Sequence, residues 1–147
     1  MPGIVVGVDG SDHSSHALAW AMREAAAHHL PLEVVSVHPA PARPATEIFW
    51  GIRNYSENSF DPEHARATVQ QFVDKVAHEI GVTMPQVTVS VVTGDASEEL
   101  VRASQDADLL VVGTRGSGGF ARLLMGSVSS QVTHHAACPV AVIRQPR

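Results

Sequence analysis

The sequence is poor in the residues that staple, anchor or neutralise. It has one cysteine, Cys138, so an internal disulfide framework is excluded. Flanked by Ala137 and Pro139 at the mouth of an apolar run, that thiol reads as a small core residue rather than a reactive one. It has one lysine, Lys75, and no Asp or Glu after Asp108. No apolar stretch reaches the ~20 residues of a membrane-spanning helix, so no membrane partner is expected. The first apolar run is stopped by Asp9 and has no basic region before it, unlike a secretory signal. The expectation from these absences is a cytoplasmic protein, and 147 residues suffice for one domain over 1–147 with a sizeable core.

The charge that is present is unevenly placed. A net charge of −5 argues against nucleic acid as the main partner. All fifteen Asp and Glu lie at or before Asp108, whereas Arg115, Arg122, Arg144 and Arg147 follow it. The last quarter is therefore the one cationic part of an acidic chain, which suits an anionic ligand there or, more simply, a solvated basic tail.

That cationic part holds the most distinctive stretch, residues 113–127, GTRGSGGFARLLMGS. It follows the apolar run 109–112 and precedes residues at helical spacing, so it joins a buried strand to a helix. Gly113, Gly116, Gly118, Gly119 and Gly126 let main-chain N–H groups approach an anion closely. Ser127 stands where a helix cap is expected, and a helix start offers unpaired N–H donors with roughly half a positive charge. The alternative is a flexible surface loop.

Ile4–Val8 reads as a strand buried on both faces, ending in Asp9-Gly10-Ser11. Ala17, Leu18, Ala21, Met22 and Ala25 follow at helical spacing, capped by Ser11 or Asp12. Residues 32–37 form a second strand. Residues 39–61 carry Pro39, Pro41 and Pro44, no clean period, and four of the seven aromatics: Phe49, Trp50, Tyr55 and Phe60. Such a loop docks on something, be it the ligand, a partner subunit or its own domain. Asp61-Pro62-Glu63 starts a helix with an apolar face from Ala65 to Ile80, ended by Gly81. Val87, Val89 and Val91 mark a third strand, Asp95 or Ser97 caps a third helix, and Val128, Val132 and Ala136 supply a fourth. Val140–Ile143 closes the pattern as a fifth strand. Five strands alternating with four helices give a doubly wound α/β fold, whose ligands bind beyond the carboxyl ends of the strands.

Competing chemistries lack their residues. Walker-type phosphate binding needs a lysine after the glycines, and Lys75 is elsewhere. Gly116, Gly118 and Ala121 satisfy the dinucleotide pattern, but no carboxylate follows to hold a ribose. His28-His29 and His134-His135 are adjacent on helices and point apart. His13 and His16 could share a face but have no further ligand cluster, so the histidines read as solvated. Ser11, His13 and Asp9 would crowd a triad into one turn, and no acyl-transfer site is found.

Gly113, two residues, Gly116, nine residues, then Gly126-Ser127 resembles the nucleotide-binding signature of the universal stress protein family. The likeness extends to Asp9-Gly10-Ser11 and to the closing Cys138-Pro139-Val140-Ala141-Val142-Ile143. The resemblance implies an open parallel sheet, Rossmann-like, in the order 3-2-1-4-5, and ATP, with Mg²⁺, as the ligand. By the same resemblance Gly113, Thr114, Arg115, Gly116, Ser117, Gly118, Gly119, Gly126, Ser127 and Val128 line the phosphate and ribose path. Asp9, with the backbone near Gly7, matches the adenine-binding position and Val37 the residue flanking adenine. It also implies a homodimer through the Val140–Ile143 strand and a nucleotide-dependent stress-response module with an unidentified regulatory protein partner. A slow ATPase or nucleotidyl-transfer enzyme, and a nucleotide-free structural protein, are the alternatives; no positioned base for water is visible, and no catalytic residue is assigned.

Overall fold

Ile4–Val8 is the central strand, β1, with all five residues buried, as its unbroken apolar run predicts. The computed structural model describes residues 3–39, 61–83, 86–114 and 118–145, the stretch 118–126 by its backbone alone. The expectation of an aromatic loop over 39–61 therefore falls almost wholly outside the described residues. After β1 come α1 (Asp12–His28), β2 (Leu32–His38), α2 (Pro62–Ile80), β3 (Val87–Thr93), α3 (Ala96–Ser104), β4 (Leu109–Gly113), α4 (Gly118–His135) and β5 (Val140–Ile143). The strands form one parallel sheet in the order β3-β2-β1-β4-β5.

Helix starts follow local chemistry. Ser11 caps α1, its hydroxyl accepting the Ser14 N–H at 3.1 Å. Asp61 accepts the Glu63 N–H ahead of Pro62 in α2, and Asp95 accepts the Glu98 N–H in α3. Gly81 caps the end of α2.

The two sheet faces bury separate cores. Ile4, Val6 and Val8 of β1 face α1 and α2, packing with Leu18, Met22, Val34, Val73, Val76, Val89 and Val111. Val5 faces the other way with Val35, Leu110 and Val112, against Leu100 of α3 and Val128 and Val132 of α4. This division is what the period-2 geometry of a doubly covered sheet requires. Among the described residues no helix is long and apolar enough to cross a membrane.

Two local expectations are corrected. α4 begins at Gly118, so Ser127 is its tenth residue and not its cap. Ala121, Leu123, Leu124 and Met125 are strong helix formers and favour a helix there, despite the ~1 kcal/mol that each helical glycine costs relative to alanine. Cys138 is half-buried at the margin of the second core rather than inside it, in the short bend between α4 and β5.

Candidate functional site at the strand carboxyl ends

Strand order reverses between β1 and β4: β2 and β3 lie to one side of β1, and β4 and β5 to the other. The pairing Ile4↔Leu109 to Val6↔Val111, continued upward, sets Val8 level with Gly113 and Asp9 level with Thr114. Chain segments about a hundred residues apart in sequence thus end side by side. In an open parallel sheet this is the crevice where a ligand is held.

Asp9 is exposed at its mouth. Its Oδ1 accepts the Ser11 N–H at 3.0 Å, and its own N–H donates to Ser14 Oγ at 3.3 Å. The fully buried Ser14 hydroxyl in turn donates to the Ser11 carbonyl at 3.1 Å. Ser11 and Ser14 therefore hold the end of β1 and the Asp9 carboxylate in place. Gly113 faces it from β4. A Cβ there would lie 3.1 Å from the His13 carbonyl oxygen and 3.3 Å from its carbon, so the end of β4 touches the first turn of α1 directly. The Thr114 N–H is already bonded to the Ile143 carbonyl at 3.2 Å.

The remaining expected site residues distribute unevenly. Gly7 is buried in β1, where the methyls of Leu100 fill the space a side chain would take, at 3.0 and 3.2 Å. Val37 lies on the same sheet face in β2, half-buried against the second core. Arg115, Gly116 and Ser117 are outside the described residues. Gly118 and Gly119 open α4, whose start is aimed at the same end of the sheet, since a helix following a parallel strand runs back along it. Gly126, Ser127 and Val128 come eight to ten residues later, so Ser127 lies ~13 Å along the axis from Gly118. Ser127 is exposed, and Val128 is buried in the second core. The structure therefore sets the ends of β1 and β4, with Asp9, Gly113 and Thr114, and the start of α4 at one end of the sheet, with Ser127 further along α4.

Two features were not legible. His13 packs its backbone on Gly113, and its Nδ1 is buried without a hydrogen-bond partner; neither its pairing with His16 nor its place in the crowded Asp9, Ser11, His13 turn signals that contact. Among the described residues no three His, Cys, Asp or Glu side chains gather to hold a metal ion. A cavity of about 380 Å³ also opens beside Asp9, between the ends of β1 and β2 and the first turns of α2. Val8 and Phe72 line it with Ser36, His38 and His64, and Ser36 Oγ lies 3.2 Å from His38 Nε2. A larger groove of about 540 Å³ crosses the β1–β2–β3 face beside α3. It reaches the amino ends of the strands, whereas the smaller space lies at their carboxyl ends, on the β2 side of Asp9.

Comparison with known proteins gives one family. The model of the universal stress protein family matches residues 2–144. A universal stress protein of Mycolicibacterium smegmatis is 35% identical over 144 residues, covering 96% of this chain and 47% of its own length. One from Mycobacterium tuberculosis is 39% identical over 158 residues, covering 99% and 49%. The chain thus spans about half the length of the curated relatives it matches. Among solved structures, the universal stress protein UspA from Lactobacillus plantarum superposes with a TM-score of 0.73 at 27% identity, with 97% of each chain covered. A universal stress protein in complex with cAMP superposes with a TM-score of 0.61 at 26% identity, covering 97% of this chain and 95% of that one.

Proposed function

This chain belongs to the universal stress protein family, and from that premise we propose that it is an ATP-binding regulatory module whose nucleotide sits between the ends of β1 and β4. The observation that carries the reading is that the ends of β1 and β4, which carry Asp9 and Gly113, lie side by side at the point of strand reversal, with Gly113 against the His13 backbone. A 26%-identical relative of the same fold is described in complex with cAMP, which supports an adenine nucleotide as the class of ligand.

The residues present fit such a ligand chemically. A carboxylate at Asp9 can accept from an adenine amino group. Val37 offers an apolar side chain on the neighbouring strand, and the main-chain N–H groups from Arg115 to Gly119 offer donors for phosphates at a helix start. Mg²⁺ enters with the phosphates. When bound, ATP would bring its own negative charge to the most cationic part of the chain, and occupancy would favour whichever packing of the 113–127 segment holds it. The module's output is then a change in stability or partner choice, not turnover.

Calorimetry with ATP tests this directly, backed by mass spectrometry of the purified, denatured protein for bound adenine nucleotide. Saturable heat in the wild type and its loss in Gly116→Val are expected; an empty wild-type protein that releases no heat overturns the reading. Ser127→Ala separates the two halves of the signature, since unchanged affinity would show that Ser127 stays outside the contact, as its place in α4 suggests. Steady ADP release above the Gly116→Val background would instead establish a slow ATPase. We also place a homodimer at β5, argued below.

A further inference from the structure

The sheet has two outer strands, β3 and β5, and they are not equivalent. Leu32 N–H donates to the Gln86 carbonyl at 3.1 Å, and Gly94 N–H donates to the His38 carbonyl at 2.8 Å. In a parallel ladder both polar groups of one residue point the same way. Residues 88, 90 and 92 of β3 therefore face β2, while Val87, Val89, Val91 and Thr93 turn their N–H and C=O groups outward. The strand reads VTVSVVT: β-branched, uncharged, without proline or glycine. That is the composition that pairs most readily with a foreign strand, and none of the usual protections lies within β3 itself.

Among the described residues, protection comes from the neighbouring helix. Arg66 of α2, next to the buried Ala65, reaches over and donates from Nη1 to the Val89 carbonyl at 2.9 Å. Val89 O is one of the two inner outward acceptors of the strand. A guanidinium there both occupies the acceptor and sets a hydrated positive charge where an incoming backbone would have to lie. On β5 the outward residues are Val140 and Val142, because Leu110 and Thr114 of β4 donate to Pro139 and Ile143. Among the described residues no side chain bonds to Val140 or Val142, and Val142 is 39% exposed.

We propose that Arg66 is an edge lock: by capping Val89 it denies β3 to a strand from a second copy of this chain, so that self-association is confined to β5. The argument is independent of the nucleotide reading. A protein with two open strand edges can add copies at both ends and forms open arrays, whereas one with a single open edge closes as a pair.

Sedimentation of wild type, Arg66→Ala and Arg66→Met over about 5 to 200 µM tests this, with circular dichroism as the folding control. The methionine keeps an unbranched apolar stem while removing the donors, and it carries the test if the alanine variant does not fold. The expected result is a wild-type mass that stays at one finite species, and variant masses that rise at least about twofold above it with concentration. Val91→Pro, added to the folded Arg66 variant, removes an outward N–H at a position where an edge strand tolerates proline, and should return the mass to the wild-type value. Arg66 variants with wild-type mass at every concentration overturn the proposal, as does a double variant that stays large.

Discussion

Gly113 shows how one residue can serve packing and binding at once. In the sequence it was legible as the first glycine of a phosphate signature, whereas its contact with the His13 backbone was not, because no local pattern records which helix crosses a strand end. The two roles predict different outcomes for Gly113→Ala. Loss of unfolded-state freedom would stabilise by about 0.4–1 kcal/mol. The new Cβ, however, meets a helix backbone carbonyl at 3.1 Å that cannot rotate away, and such overpacking costs about 1–3 kcal/mol. The clash wins, so a net loss of about 1–2 kcal/mol is expected in urea unfolding, with or without nucleotide. Cys138 gives a second residue-scale test. Burial pushes its thiol up from the ordinary range, hydrogen bonding to the Leu110 backbone pulls part of the way back, and the Asp108 carboxylate adds to the rise. The native state thus holds the thiol proton more firmly than the unfolded chain does. Stability conferred this way is present below the ordinary thiol pKa and is lost as pH climbs through the raised one. Unfolding midpoints should fall in alkaline buffer, and Cys138→Ala should flatten that part of the profile.

At the scale of elements, the strands and the first three helices were readable because their signals are local: unbroken apolar runs for β1 and β4, alternation for β3, and Ser11, Asp61 and Asp95 as caps. The start of α4 was not. Glycines argued for a loop through Ser127, while Ala121, Leu123, Leu124 and Met125 argued for a helix, and the helix formers prevailed back to Gly118. β5 carries the element-scale prediction. It is four residues long, apolar, and outermost in the sheet, with Val142 the exposed large hydrophobic residue among those described. An uncovered edge of this kind is stabilised by pairing with its like. Light scattering at micromolar concentration should report a homodimer, and Val142→Lys, which puts a charge on that edge, should shift it to monomer without moving the thermal midpoint of the folded unit by more than a few degrees. A wild-type protein that scatters as a monomer rules the contact out.

For the whole molecule, the α/β class followed from the alternation of periods, but the strand order did not: nothing in composition or spacing says that β4 lies against β1. The family likeness implied it, and the pairing of Ile4 with Leu109 shows it. Because the proposed site exists only when that pairing is made, nucleotide should bind the folded chain alone and raise its stability by mass action, about 2.7 kcal/mol at a hundredfold excess over Kd. A thermal melt with and without ATP checks this, with Gly116→Val showing no gain. The same pairing bears on how the protein is born. The strand at the heart of the sheet is translated first, yet one of its two flanking partners is encoded roughly a hundred codons downstream. At about 5–20 residues per second, it waits some 5–20 s on the ribosome before residues 109–113 are made, and through that interval one edge of the central strand has no mate.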